Sequence, residues 1–357
     1  MLSDPERQRY RRHLQLAEIG PAGQARLKAA RVLVVGAGGL GCPLLQYLAA
    51  AGVGTLGIAD ADCVEMSNLQ RQVLYGPADV GLYKAEVAAR EVQRLNPLIT
   101  CRVHRLRVTP ENVEALLADY DVVADGTDNF PTRYLLNDAC VGRGLPLVSG
   151  AIYRFEGQVS VFNFRGGPTY RCLFAVPPGP AEAPDCNTTG VLGVLPGLIG
   201  TAQATEVLKI IAGFGEVLAG RLWVFDARTF QTRTLRFARH PERSLLNLHT
   251  ANPADYQQPC SPAATITPPE LREMRSTCQP LFLLDVREPH EYENGHLPGA
   301  THIRLPEVAA RAGEIPRHTP VVVYCQSGVR SAAAATLLQQ KFGFTNLLSL
   351  AGGLDAM

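Results

Sequence analysis

The chain is short of several things, and each shortage removes a class of answer. Its 357 residues include nine cysteines, an odd number, and no two of them form a Cys-x-x-Cys pair. That argues against a disulfide framework and for a reducing cytoplasm, and most of these thiols read as small buried residues. Neither sign of charge is in excess. The formal net charge is +1, so the overall balance gives no reason to expect direct binding of nucleic acid. The N-terminal MLSDPERQRYRRHLQL is polar and charged and lacks the apolar run of a secretory signal. An uninterrupted membrane-length stretch is missing too. The most apolar segment, Val191 to Ala212, contains Gln203, Glu206 and Lys209 and reads as a buried helix. What is left is a cytoplasmic globular protein, long enough for two cores of roughly 100–200 residues each.

What is present is alternation. Tyr10, Leu14, Leu16 and Ile19 give the N-terminal stretch a helical spacing. Arg31 to Gly36 reads as a buried strand running into glycines, followed by a helix from Leu40 to Ala51 and a strand from Thr55 to Asp60. Lys84 to Leu95 is a helix stopped by Asn96-Pro97, and Tyr120–Asp125 and Leu145–Ser149 are further strands. Strands alternating with helices predict an α/β fold with a doubly wound, Rossmann-like, mainly parallel sheet. After Ile152 the pattern is richer in strands, at 157–164, 222–225 and 232–237. This first domain spans 1–240. Periodicity disappears over 241–264, a linker that as a flexible coil of about 25 residues spans roughly 25–30 Å. A smaller α/β domain fills 265–357, with strands at Leu281–Asp285 and Val321–Tyr324 and helices near Pro306–Ala312 and Ser331–Lys341.

Gly36-Ala-Gly-Gly39-Leu-Gly41 follows a strand and opens a helix. Glycines allow a tight turn and let phosphates approach the backbone, and the helix N-terminus favours their charge. Asp60 closes the second strand, where an acid accepts hydrogen bonds from a ribose hydroxyl. A dehydrogenase would show the same features. The segment Ser67-Asn68-Leu69-Gln70-Arg71-Gln72 and the later Lys84 add cations suited to a triphosphate, although a solvated surface pair would look the same. Gly126-Thr127-Asp128-Asn129 lies just past a strand, where Asp128 can hold magnesium or merely cap the helix that Pro131 begins.

Taken together, Gly36–Gly41, Asp60-x-Asp62, Ser67–Arg71, Lys84 and Asp125-Gly-Thr-Asp-Asn129 resemble the MoeB/ThiF family, bacterial relatives of ubiquitin-activating enzymes, from about Arg9 to Phe237. The resemblance implies a homodimeric domain that uses ATP and Mg2+ to adenylate the C-terminal glycine of a small ubiquitin-like sulfur carrier. It implies that Gly39, Asp60, Ser67, Asn68, Leu69, Gln70, Arg71, Lys84, Asp128 and Asn129 line the ATP site, and that Arg12 reaches the partner subunit's nucleotide. It also places Cys186 in a mobile loop whose cysteine joins the activated carrier. Many family members carry a structural zinc on two Cys-x-x-Cys pairs. Here Thr169-Tyr-Arg-Cys172 and the stretch around Ser244 and Asn247 occupy those positions, so three of four thiolates are missing and zinc is not expected.

In the second domain, Cys325-Gln-Ser-Gly-Val-Arg330 joins a strand to an alanine-rich helix. A cysteine at a helix N-terminus, in a loop closed by an arginine, is set to be a thiolate. Successive backbone N–H groups there make a nest for an anion such as a persulfide. With Leu284-Asp285-Val-Arg287-Glu-Pro-His-Glu-Tyr292, Gly295-His-Leu-Pro-Gly-Ala300 and Leu350-Ala-Gly-Gly353, the domain resembles the rhodanese family over 266–353. That family carries sulfur on such a cysteine, and the six-residue loop is one residue shorter than that of related phosphatases. The two resemblances imply adenylylation followed by sulfur transfer from Cys325, with Arg330 closing the loop. The sulfur would come from a cysteine desulfurase or thiosulfate, and the product would serve molybdopterin, thiamine, cysteine or tRNA-thiolation pathways. A nicotinamide oxidoreductase and a non-catalytic scaffold for ubiquitin-like proteins are the competing readings.

Overall fold

Short apolar runs that end in glycine or aspartate become parallel strands whose ends line up on one edge. The computed structural model describes residues 2–178, 190–256, 264–276 and 280–357. They form two units, divided between Tyr256 and Gln257. The first unit contains β1 (Arg31–Val35), β2 (Thr55–Ala59), β3 (Thr100–His104), β4 (Val122–Asp125), β5 (Leu147–Tyr153), β6 (Glu156–Phe162), β7 (Arg221–Asp226) and β8 (Gln231–Arg236). Their order in the sheet is 3-2-1-4-5-6-7-8. Strands β1 to β5 are parallel, while β6, β7 and β8 are antiparallel to their neighbours.

Both faces of this sheet are covered, which is why β1 is apolar at consecutive positions. Leu44, Leu45 and Leu48 of the helix Gly41–Ala51, Val92 of Lys84–Leu95 and Val207 of Leu195–Ala212 pack on one face. Tyr134, Leu135 and Leu136 of Phe130–Arg143 pack on the other with Leu117, Phe162 and Tyr170. Val35 pairs in register with Ala59 on one side and Asp125 on the other. Chain order reverses between β1 and β4, and a crevice at such a reversal is where open α/β sheets take ligands.

Two features of this unit differ from the sequence reading. Strand β3 was not anticipated, because an edge strand reading Thr-Cys-Arg-Val-His is half exposed and lacks an apolar run. The segment after 240 stays with the first unit through Tyr256, well past the expected boundary. Ser244, Ala251 and Tyr256 are buried on it, and the Tyr256 hydroxyl donates to Asp138 Oδ2 at 2.7 Å. Its only regular structure is two 3-10 turns, Arg243–Leu245 and Pro253–Tyr256, too short to leave a periodic signal.

The second unit contains β9 (Ala264–Ile266), β10 (Phe282–Asp285), β11 (Ala300–His302), β12 (Val321–Tyr324) and β13 (Leu347–Leu350), all parallel, in the order 11-10-12-13-9. Val321 and Val323 face a core with Leu284, Ala334 and Leu338, while Val322 and Tyr324 face Ile266, Leu271 and Leu350. The helix expected near Pro306–Ala312 is instead a pair of 3-10 turns, Leu305–Glu307 and Ala312–Glu314. Arg311 at φ −106°, ψ 14° leaves helical geometry between them.

Candidate functional site

The first candidate site lies where β1 meets β4. Gly36 has φ +88°, and a Cβ on Gly41 would stand 2.0 Å from the Gly36 carbonyl oxygen. A Cβ on Gly36 would stand 2.8 Å from the Gly126 carbonyl oxygen. The glycine loop and the 126–128 turn are therefore pressed together in a way no side chain permits. Gly39 faces Pro196 and the stem of Arg71. Asp60, at the end of β2, accepts hydrogen bonds from the backbone N–H of Ala37 (2.7 Å) and Asp62 (2.8 Å). Burial pushes the Asp60 pKa up, against those two bonds and Lys84. The carboxylate thus braces the loop and retains lone pairs for a hydroxyl group.

Lys84 starts its helix, is buried, and pairs with the exposed Asp62 at 3.2 Å. Arg71 donates to the Ser67 carbonyl at 3.0 Å and has no carboxylate partner among the described residues. Asn68 is buried, its side chain accepting from Glu65 N–H at 3.2 Å and reaching the Ser67 hydroxyl at 3.5 Å. Leu69 packs against the core. Gln70 lies against Gly193, where a Cβ would come within 2.3 Å of its side chain. The Gln72 amide lies 3.6 Å from where a Gly38 Cβ would be, and its buried Oε1 has no partner among the described residues. An orphaned buried acceptor beside a phosphate-type loop is a place for a ligand or water.

The 126–128 turn is fixed by groups the sequence reading did not single out. The buried Asp125 carboxylate accepts from Thr127 N–H (2.9 Å), Thr127 Oγ1 (2.7 Å) and Ser149 Oγ (3.3 Å), and burial pushes its pKa up. Gln203 donates to the Asp125 carbonyl at 2.7 Å, and Arg133 to the Thr127 carbonyl at 2.9 Å. The helix Phe130–Arg143 is capped by Asn129, whose Oδ1 accepts from Thr132 N–H at 3.0 Å. Asp128 is therefore not the cap. It is exposed and makes no ion pair among the described residues. One free carboxylate beside a glycine cradle fits magnesium, which takes most of its ligands from water and phosphate.

Arg12, expected at a partner subunit's nucleotide and not at this cradle, sits on the short helix Arg11–Leu14 and reaches Gln15 Oε1 at 3.5 Å. Cys186 lies outside the described residues. The chain re-enters at Gly190, and Gly193 and Pro196 then abut Gln70 and Gly39.

At the positions where the sequence resemblance would place a zinc, the donor set does not fit that ion. Cys172 Sγ accepts from Thr169 N–H (3.4 Å) and His240 N–H (3.3 Å), while Thr169, Ser244 and Asn247 offer no thiolate. Beside it lies a buried ion cluster. Arg171 binds both Asp138 oxygens at 2.6–3.0 Å and Asp255 Oδ2 at 2.8 Å, and Tyr256 completes it on Asp138. Asp138 is fully buried and Arg171 is 2% exposed.

The second candidate site is the loop after β12. Cys325 is fully buried, and its Sγ accepts from Ser331 N–H at 3.4 Å. The Ser331 hydroxyl lies 3.7 Å from that sulfur, donates to the Gly328 carbonyl at 2.9 Å and stands 3.0 Å from Ser349 Oγ. Gly328, at φ +87°, starts the helix Val329–Phe342. Below the loop, a Cβ on Gly353 would strike the Cys325 and Gln326 carbonyl oxygens at 2.4 Å. Arg330 is held by both Glu291 oxygens at 2.6 Å, which brings the Glu291 pKa down to about 2. Arg287 is buried on Asp285 at 2.7–3.0 Å and reaches Gln326 Oε1 at 3.2 Å. Asp355 accepts from Gln326 Nε2 at 2.6 Å. Elsewhere, burial pushes the Cys42 thiol up to about 12, Cys101 to about 11, and Cys140 higher still.

The ThiF family model matches residues 10–246, and the rhodanese-like domain model matches 267–357. The chain is 46% identical to the probable adenylyltransferase/sulfurtransferase MoeZ of Mycobacterium tuberculosis, over 99% of this chain and 93% of that one. It is 40% identical to the adenylyltransferase and sulfurtransferase MOCS3 of Aedes aegypti, over 99% and 87%. A sulfur carrier protein adenylyltransferase of Thermus thermophilus is 52% identical over 66% of this chain and 89% of its own length. Among solved structures, E. coli MccB with MccA-N7isoASN superposes with a TM-score of 0.60 at 24% identity, covering 67% of this chain and 74% of that chain. At that identity the likeness speaks for the fold.

Proposed function

The chain belongs to the ThiF family and carries a rhodanese-like domain, and on that premise we propose a two-step enzyme, an adenylyltransferase and sulfurtransferase. In this reading it adenylates the C-terminal glycine of a small ubiquitin-like sulfur carrier with ATP and then moves sulfur from Cys325 onto that carboxyl group. The observation that carries the proposal is the pairing, in one chain, of a glycine cradle with a free carboxylate at Asp128 and a cysteine set in an N–H-lined loop. A nicotinamide oxidoreductase has use for neither Asp128 nor the Cys325 loop.

A carboxylate is a poor electrophile, so the first step converts it. A carrier carboxylate oxygen attacks the α-phosphorus of ATP, pyrophosphate leaves, and an acyl-adenylate results. The chain's part is positioning and charge neutralisation. Asp60 takes the ribose, Arg71 and Lys84 face the phosphates, Asn68 and Gln70 line the pocket, and Asp128 would hold the magnesium ion. When bound, that ion would neutralise phosphate charge. A persulfide on Cys325 then attacks the acyl carbon and expels AMP, leaving the carrier joined to Cys325 through a disulfide. A thiolate, from Cys186 or an added reductant, attacks the Cys325 sulfur, and the carrier leaves as its thiocarboxylate. Arg12 would act on the nucleotide of a second copy in a homodimer, and a cysteine desulfurase or thiosulfate would supply sulfur in the cytoplasm.

The decisive experiment is exchange of labelled pyrophosphate into ATP with purified candidate carriers. Carrier-dependent exchange, lost in Asp128→Ala, is the expected result. Exchange at near wild-type rate in Asp128→Ala would remove Asp128 from the metal site.

A further inference from the structure

The loop around Cys325 contains one cation, and the structure spends it. Arg330 closes the six-residue loop that the cysteine begins, yet both of its terminal nitrogens are taken by Glu291 Oε1 and Oε2 at 2.6 Å. Glu291 is itself held in place, because it accepts from the Glu288 backbone N–H at 3.0 Å at the start of the helix Pro289–Glu293. The next guanidinium, Arg287, is occupied by the buried Asp285 and by the Gly295 carbonyl at 2.7 Å. The side chain between them, Gln326, leans on a third carboxylate, Asp355. The other loop positions, Ser327, Gly328 and Val329, carry no charge. Among the described residues, two arginines and three carboxylates are therefore tied to the loop's side chains, and each guanidinium has a carboxylate partner, Arg330 interacting with Cys325 as well.

Resting on the reading of this unit as a sulfurtransferase, we propose that Glu291 is a positioning residue that sets donor preference. By making Arg330 a frame for the loop, it favours donors with a singly charged reacting end, such as persulfides, over the thiosulfate dianion. The chemistry is balanced for either donor. The Cys325 thiolate attacks the outer, sulfane sulfur, a Cys325–S–S⁻ persulfide forms, and the donor's S–S bond breaks with its electron pair leaving on a thiolate or on sulfite. What differs is the charge that must enter. A dianion responds to each nearby charge twice as strongly as a monoanion, and it meets a rim on which carboxylates outnumber guanidiniums. Backbone N–H groups and the helix N-terminus suffice for one charge.

The test uses two sulfane donors that differ in charge, thiosulfate (a dianion) and benzenethiosulfonate (a monoanion). Cyanide is the common acceptor, the full chain is the enzyme, and thiocyanate is the product measured. Glu291→Gln should raise kcat/KM for thiosulfate about tenfold more than for benzenethiosulfonate, and the thiosulfate gain should shrink as salt is added. Glu291→Asp keeps the charge and shifts only the framing, so it should lower both rates while leaving their ratio within about twofold of wild type. An unchanged donor ratio in Glu291→Gln, whether both rates hold or fall together, would overturn the proposal and leave Glu291 a purely structural brace. A wild-type chain that forms no thiocyanate from either donor and no persulfide on Cys325 would instead sink the sulfurtransferase reading on which the proposal stands.

Discussion

Each unit makes an anion cradle where a parallel strand passes into a helix through a glycine-bearing loop, but the two treat their arginines in opposite ways. At the glycine loop of the first unit, Arg71 donates to a carbonyl and has no carboxylate partner among the described residues. At the cysteine loop of the second, Arg330 is already clamped by a carboxylate. On the proposed function, the difference follows from what each cradle would hold. A triphosphate brings several charges that must be neutralised during the reaction, whereas a thiolate or persulfide brings one. A free cation belongs in the first case and a rigid frame in the second.

The comparison can be broken most directly at the sulfur. Cys325→Ala should abolish persulfide and thiocarboxylate formation while carrier-dependent pyrophosphate exchange stays within about twofold of wild type. Mass spectrometry of the carrier and the exchange assay together read both halves, and a parallel loss would show that the units do not act separately. The opposite cut is Arg71→Ala, which should lower exchange by about 10²–10³-fold without touching sulfur loading on Cys325. Exchange above a tenth of wild type would mean that Lys84 alone serves the phosphates.

A third arginine sharpens the contrast from the side of pure structure. Arg171→Met leaves Asp138 buried without a cation and should destabilise the first unit by about 3–5 kcal/mol, read from its calorimetric transition, with donor preference unmoved. A loss below about 1 kcal/mol would mean the cluster relaxes through water. The smallest expected effect is in acid. The carboxyl of Glu291 has its folded pKa depressed to about 2 from an ordinary 4.5, so the pair's contribution is fully present above pH 4.5 and is lost as pH falls toward 2. The stability gap between wild type and Glu291→Gln should therefore close over that window, and a gap that persists at pH 2 would deny the ion pair its role.

What the sequence made legible were the parts whose chemistry sits in consecutive residues. Gly36–Gly41, Ser67–Arg71, Gly126–Asn129 and Cys325–Arg330 each declare a loop by composition alone, and the strands feeding them are apolar because both faces of the sheet are covered. The supports of those loops were not legible, because they join residues far apart in the chain. Ser149 and Gln203 meet Asp125 from other elements, Glu291 meets Arg330 from 39 positions away, and Tyr256 meets Asp138 across 118. The ambiguity at Asp128 needed coordinates for a different reason. Either of two adjacent residues can cap a helix, and only the hydrogen bond from Thr132 N–H to Asn129 Oδ1 shows which one does.

The buried and half-buried cysteines bear on fidelity. A persulfide passes its outer sulfur to whatever thiolate meets it, so any reactive thiol along the way is a place where the cargo strays. Burial leaves Cys42, Cys101 and Cys140 protonated at neutral pH, the first two with pKa values of about 12 and about 11, and a protonated thiol neither attacks a persulfide nor yields to mild alkylation. These three thiols are thus kept out of sulfur exchange. An electrophilic label used at neutral pH should pass over these three.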